Sequence, residues 1–547
     1  MSFFDDASLV FLPSGEAGKD GKAYSMKPTD GSGDFTFSRG SNLTSTRVDS
    51  NGLIEKGREN LLLQSNQFDT AWTLLNSQVT SGQSGYDGSS DAWLLERSGS
   101  GANVFIRSTT IATSGICTIS IYAKADNSNW LVIQDSGSSK QCYFDLSNGT
   151  LGFSSPSMID KQITSVGNGW YRCSITTNRS SGLVQFYVAT ANTNLSGPSD
   201  AALYIQDAQL ELGLAATEYI ESGATTGKAG LLEDSPRFDY SGGASCPSLL
   251  LEPSRTQIVR QSEYIDGYSS KVQCTTTPNY GTSPEGLTNS TRLQFTANGY
   301  IHEGVAQVSA TQYTISGYAK RNDSGTQSFG FFVNGSGAID SAVTLTSDWQ
   351  RFEYTYTATN SSFFGFAGNS GADVSVYGLQ LEQGSYPTSY IPNHSGGSVT
   401  RNADSCLINP MDTTYSTNYT FYGEFERIVS EDEESILMQL YDGNASATNQ
   451  YRIMNRTNAQ LRTRIYFTGS NTSIISATDS FQLGQTIKWA VKYDREVIKV
   501  FIDGQEIGST TQAVGGIDVI SLERMKVKQI LLFDSTLSDA NLATLTS

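Results

Sequence analysis

The chain of 547 residues holds two histidines, His302 and His394, so a nucleophile triad or zinc site built on imidazole must use one of them. His394 stands in the turn-rich stretch Pro392-Asn393-His394-Ser395-Gly396-Gly397, and His302 in a stretch predicted to be a strand. Neither an H-x-x-x-H nor a G-x-S-x-G spacing occurs. Two carboxylates would suffice to hydrolyse a glycosidic bond, and 54 acidic residues are available, yet no segment singles out a pair. The longest acidic run, Glu431-Asp432-Glu433-Glu434, reads as a solvated hairpin tip. Six cysteines (Cys117, Cys142, Cys173, Cys246, Cys274 and Cys406) are scattered without a CxxC pair, which predicts free thiols. These residues predict no catalytic group, no metal site and no cofactor.

Sugar stacking is the chemistry that remains. A flat ring can cover a pyranose face while neighbouring Asn, Asp and Gln bond its hydroxyls. Trp72, Trp93 and Trp130 lie beside polar turns and are the glycan-binding candidates. Trp170 and Trp349 open predicted strands and read as core.

The elements that must position these residues are duplicated. Arg58-Glu-Asn-Leu-Leu-Leu-Gln64-Ser65 matches Arg255-Thr-Gln-Ile-Val-Arg-Gln261-Ser262 without a gap, and Leu53-Ile54-Glu55 just before it matches Leu250-Leu251-Glu252. Tyr122-Ala123-Lys124 then matches Tyr318-Ala319-Lys320, and Trp170-Tyr171-Arg172 matches Trp349-Gln350-Arg351. Finally Gln209-Leu-Glu211-Leu-Gly213 with Thr217 and Tyr219-Ile220 matches Gln380-Leu-Glu382-Gln-Gly384 with Thr388 and Tyr390-Ile391. Five blocks in one order mark an internal repeat. Residues 58–222 and 255–393 should therefore share one fold. Within each, short stretches such as Cys117-Thr-Ile-Ser-Ile121 alternate between faces and end at Gly, Asn or Asp turns, the pattern of an antiparallel jelly-roll sandwich. The recurring Lys124/Lys320 and Arg172/Arg351 suggest a salt bridge closing each sandwich, with Glu211 and Glu382 as partners.

Residues 394–547 lack those blocks. Ile487–Tyr493 alternates, Asp494-Arg495 should turn it, 497–502 returns, and Asp503-Gly504 makes a second hairpin. Stretch 525–533 is a last strand, followed by a helix capped at Ser538. Segment 1–57 is Gly-rich and polar and is expected to anchor the chain; segment 223–254 is expected to link the repeats. Both carry apolar triplets, so neither should be a free tether.

The balance of 36 basic against 54 acidic residues gives a net charge of −18 and argues against nucleic acid as a partner. No run approaches 18 apolar residues, so no membrane insertion is expected. The composition is that of an adhesive surface protein, yet the N-terminal residues lack the basic and apolar regions of an export signal. Virion proteins, made in a bacterial cytoplasm and released by lysis, would reconcile the two.

The YAK, W-x-R and QLE-x-G-x-x-x-T-x-YI blocks at 122–124, 170–172 and 209–220, with the linker segments at 34–55 and 236–256, resemble modular bacteriophage virion structural proteins of the head-spike, head-fibre or tail-fibre type. The resemblance implies carbohydrate-binding-module-like sandwiches followed by a C-terminal concanavalin-like, laminin-G-like lectin domain, an all-β chain throughout. It also implies a non-enzymatic structural protein of the particle, a homo-oligomer with a trimer favoured, attached to other virion proteins through 1–57 and adhering to host surface glycans. The alternatives are a secreted or cell-surface polysaccharide-binding lectin and a glycan depolymerase.

Overall fold

The computed structural model describes residues 3–547 except 14–17, 20, 41–42, 334, 336–337, 360–362, 409–414, 416, 431–433, 444–448, 468–469, 478–479 and 515. Most of the acidic run at 431–434 thus lies outside the described residues. The chain is all-β, with antiparallel sheets stacked as sandwiches and short helices only at its two ends and in turns.

In the first sandwich, one six-stranded sheet runs Asp160–Gly167, Trp170–Arg179, Gly115–Ala125, Ala202–Leu212, Ala92–Arg97, Ser77–Gln83. Facing it is the sheet Thr150–Ser154, Lys140–Asp145, Trp130–Asp135, Val184–Ala189, Phe105–Arg107, Thr73–Leu75. Cys117, Ile119 and Ile121 of the central strand point into the space between the sheets with Ile133, Phe144, Phe186 and Leu210. Their neighbours Thr118 and Ser120 are buried too: Thr118 donates to the Gly213 carbonyl, and Ser120 accepts from Arg172.

The second sandwich repeats this order with Gln350–Thr357, Gln312–Arg321, Asp373–Gln383 and the strand Thr288–Gly304. That strand pairs with Asp373–Gln383 through 291–294 and with Phe363–Gly368 through 299–304. One bent strand thereby does what Ala92–Arg97 and Phe105–Arg107 do separately in the first copy. The duplication holds down to register. Ile119 faces Leu210 and Ile315 faces Leu381, and in both copies the ladder then slips by one residue. The bulged residues are Asp207 (φ 54°) and Gly378 (φ 61°), equivalent positions in the left-handed region.

As its apolar triplets implied, segment 1–57 is not a free tether, and its pairing shows where it packs. Leu9–Phe11 adds to the edge of Met525–Phe533, and Phe35–Ser38 pairs with Ser405–Ile408. Leu9, Phe11, Phe35 and Phe37 lie in the same core as Phe421, Trp489 and Ile530. Leu9–Phe11 and Phe35–Ser38 are therefore structural strands of the C-terminal sandwich. The linker 223–254 likewise contributes Phe238–Asp239 and Ser248–Leu250 to that sandwich, with Leu249 opposite Val527. Apolar alternation in 9–11 and 35–38 was too short to show which sheet it would join.

Smaller local expectations divide. Asp503-Gly504 forms the predicted two-residue turn with both φ positive, and Ser538 caps Asp539–Thr546 by accepting from Asn541 N–H. The preceding turn is Arg495-Glu496 rather than Asp494-Arg495, because Asp494 still pairs with Val497. Among the described residues all six cysteines are free thiols, five of them buried.

Candidate functional site

The recurring QLE and Thr residues build one clamp twice. In the first copy Glu211 Oε1 accepts from Thr217 N–H (2.9 Å) and Gln209 Nε2 (2.7 Å), and Oε2 accepts from the Thr217 hydroxyl (2.7 Å). Gln209 Oε1 then accepts from Ile220 N–H at 2.7 Å. In the second copy Glu382 accepts from Thr388 N–H (2.9 Å), the Thr388 hydroxyl (2.5 Å) and Gln380 Nε2 (2.7 Å), while Gln380 accepts from Ile391 N–H (2.7 Å). Both carboxylates are buried and hold a loop, so they are not the expected salt-bridge partners. The recurring cations instead lie on rings. Arg172 and Arg351 sit 5.3 and 5.7 Å from the centroids of Tyr122 and Tyr318, and Lys124 and Lys320 lie over Tyr204 and Trp349.

Two of the three tryptophans proposed as sugar platforms are core residues. Trp72 and Trp93 are each 7% exposed and pack against Phe68 at 5.3 and 6.1 Å between centroids. Their indole N–H groups donate to the carbonyls of Gln64 and Asn66. The polar turns beside them cap the edge of the core, which is why sequence neighbourhood misled. Trp130 is half-buried in a patch with Phe105, Tyr143 and Tyr187 on the outer face of its sheet, with Gly152 against its ring. Trp170 is buried as expected, whereas Trp349 stays half-buried over the Thr282 carbonyl. His302 lies in its predicted strand with its ring stacked on Phe332; His394 is buried, its Nε2 3.8 Å from Glu263.

The two copies differ in what covers their aromatic end. In the second sandwich the strand Ile54–Asn60 lies across it. Ile54 N–H donates to the Pro284 carbonyl at 2.8 Å, and its side chain packs with Tyr318, Tyr377 and Tyr390. Two residues on, Lys56 Nζ lies 2.8 Å from Glu263 and 3.1 Å from Glu285, all three buried. Burial pushes the Glu263 carboxyl up, but the Lys56 ammonium, His394 and the Tyr377 hydroxyl together hold it below the usual carboxylate range.

In the first sandwich no strand among the described residues lies there, and the same end is a cleft of about 410 Å³ lined by Asn66, Tyr86, Asp87, Asp91, Asp207 and Glu218, with Tyr122, Arg172, Tyr219 and Glu221 completing the wall. Tyr86 stacks on Tyr122 with 3.7 Å between centroids, and its hydroxyl donates to Asp207 at 3.0 Å. Gln206 Nε2 donates to Asp91 (2.8 Å) and Asp87 (3.4 Å) and so bridges the two. Among the described residues, no Lys or Arg makes a salt bridge to any of the five acids of this cleft. Burial, with Asp91, Asp87 and Glu221 close by, pushes the Asp207 carboxyl up to about 7 against the Tyr86 hydrogen bond. Carboxylates, an amide and a phenol around a cleft of this size can bond several hydroxyls at once. The sequence carried one signal for this site, the copy-to-copy difference at Asp207 and Gly378, but nothing told which neighbours would surround it.

No family model matches the chain, and no curated protein does. Among solved structures, the chain is similar to the carbohydrate-binding module CBM40 of the Ruminococcus gnavus IT-sialidase bound to α2,3-sialyllactose, at 13% identity, 24% of this chain, 83% of that one and a TM-score of 0.21. It is also similar to the heptameric SAP-like pentraxin of Limulus polyphemus (12% identity, 25% of this chain, 73% of that one, TM-score 0.21). A structure of botulinum neurotoxin type C matches at 12% identity over 26% of this chain and 40% of that one, with a TM-score of 0.23.

Proposed function

We propose that this chain is a non-enzymatic glycan-binding protein of the bacteriophage virion type, and that its first sandwich presents the binding cleft. The observation that carries the reading is the uncovered acid-and-tyrosine cleft around Asp207, whose counterpart in the second copy is filled by the chain's own strand. A cleft with bonding groups left over for a ligand is where recognition should fall, and the filled copy is structural. The half-buried Trp130 patch is a second surface on the same sandwich on which a sugar ring could stack. The virion role rests on the YAK, W-x-R and QLE blocks, and the trimer on the same resemblance.

A glycan array probed with the full chain tests the binding. Asp91→Ala with Tyr219→Ala should cut the signal by about tenfold or more, the loss of two or three hydrogen bonds. An unchanged signal would remove the cleft from the reading. Mass spectrometry of purified particles tests the virion role, light scattering the trimer, and release of reducing sugar from host polysaccharide would contradict a non-enzymatic protein.

A further inference from the structure

The filled copy tells what chemistry the open copy lacks. The turns that flank the two sites are equivalent. Gly85 N–H donates to Ser89 O and Gly88 N–H to Gly85 O, as Ser283 N–H donates to Leu287 O and Gly286 N–H to Ser283 O. Asp87 therefore stands where Glu285 stands and Tyr86 where Pro284 stands, while the gapless first block places Asn66 at Glu263. In the second copy this position holds an ammonium, Lys56 Nζ, between two carboxylates. In the first, Asp87 and the Asn66 amide take those two places, Asp91 and Asp207 line the same cleft, and none of these acids makes a salt bridge among the described residues. Arg172 lines the wall of the cleft with its guanidinium 5.3 Å from the Tyr122 ring centroid, and it donates to the Ser120 hydroxyl at 3.1 Å.

The other half of the second-copy site takes Ile54. Its place in the first copy is already occupied, because Tyr86 has replaced Pro284 and lies flat on Tyr122. A strand with an apolar anchor has no seat there. What fits is a small cationic group presented among hydroxyls. Resting on the glycan reading above, we propose that the cleft of the first sandwich binds a protonated primary amine carried by a sugar, so that its ligand is a glycan containing a free amino sugar.

Titration calorimetry at pH 7.5 with the full chain would compare a β-1,4 glucosamine tetramer, its fully N-acetylated form and a short lysine peptide. The free-amine tetramer should bind about tenfold or more tighter than the acetylated one, and the preference should shrink with added salt. Asp87→Asn with Asp207→Asn should erase the preference; Asp87 is exposed, and unchanged circular dichroism would show that the fold persists. Equal binding of the two tetramers overturns the amine while leaving the glycan reading standing. Binding of the lysine peptide in preference to both sugars overturns the proposal in favour of a protein partner, and silence from all three overturns the amino sugar outright. A glycan array of neutral and acidic sugars then reports separately whether the cleft binds any sugar.

Discussion

The Glu211 and Glu382 carboxylates each gather a backbone N–H, a threonine hydroxyl and a glutamine amide, and each is sealed from water. Leaving such donors and acceptors unpaired costs about 1–3 kcal/mol per group. Thr217→Val and Thr388→Val should each lower stability by about that amount, and by similar amounts because the geometry is the same in the two copies. Chemical denaturation of the two variants checks this; a large inequality would mean that the clamps are not equivalent. Asp207 is also buried without a salt bridge among the described residues, but its carboxylate accepts from the Tyr86 hydroxyl rather than from a full clamp of donors. Its folded pKa near 7 lies above the 3.8 of an exposed aspartate, so between those values the unfolded chain binds fewer protons. Stability should therefore fall as pH rises from about 4 to 7 and level off above. Asp207→Asn should remove that fall and raise stability at pH 8 by about 1–2 kcal/mol, read as a melting-temperature difference that vanishes at pH 4.

At the scale of elements, the strand Ile54–Asn60 belongs by sequence to the first repeat but plugs the second. It brings Lys56 between Glu263 and Glu285 and Arg58 to 2.7 Å from Glu285. Lys56→Ala would strip the buried Glu263 carboxylate of its ammonium, while Glu285 keeps Arg58, a loss of about 3–5 kcal/mol. Denaturation should show it, and the unfolding of the second sandwich should shift most. A second hub joins the linkers to the C-terminal sandwich. Arg237 and Arg401 meet at Glu252, and Arg39 and Arg237 at Asp404, all buried. Burial alone would raise the Glu252 carboxyl, yet Arg401 and Arg237 overcome it and hold it far below 4.5. Because its folded pKa is depressed, the stability it contributes is present above about pH 4.5 and is lost as pH falls further. Acid titration of the wild type against Glu252→Gln should show the variant destabilised near neutrality and the two curves converging at low pH.

For the whole molecule, the N-terminal strands pair with strands beyond residue 400, so the chain ends close near where it starts. Deleting 1–40 would expose the edges of Met525–Phe533 and Ser405–Ile408 and part of an aromatic core. The truncated chain should aggregate, and residues 401–547 alone should fail to give a dispersed NMR spectrum. Residues 1–57 added in trans as a peptide should restore some solubility. Folded, monodisperse behaviour of 401–547 alone would contradict the shared sandwich.

The order of blocks from Arg58 to Ile391 was enough to predict the repeat, because the same side chains must make the same local bonds wherever they recur. Alternation in stretches such as 117–121 and 487–493 was enough for strands, and turn pairs such as Asp503-Gly504 for hairpins, since both are set by neighbours in the chain. What sequence could not show were contacts between residues far apart in it. Leu9–Phe11 and Phe35–Ser38 read as polar linker because three or four residues of pattern do not say which sheet edge is free. Trp72 and Trp93 read as exposed because their polar neighbours are near in sequence, while Phe68 and the carbonyls that bury them are placed by folding. The Asp207 cleft is the clearest case. Whether its carboxylates face a lysine or open space depends on where the strand carrying Ile54 and Lys56 docks, and only tertiary packing sends that strand to the second sandwich and leaves the first uncovered.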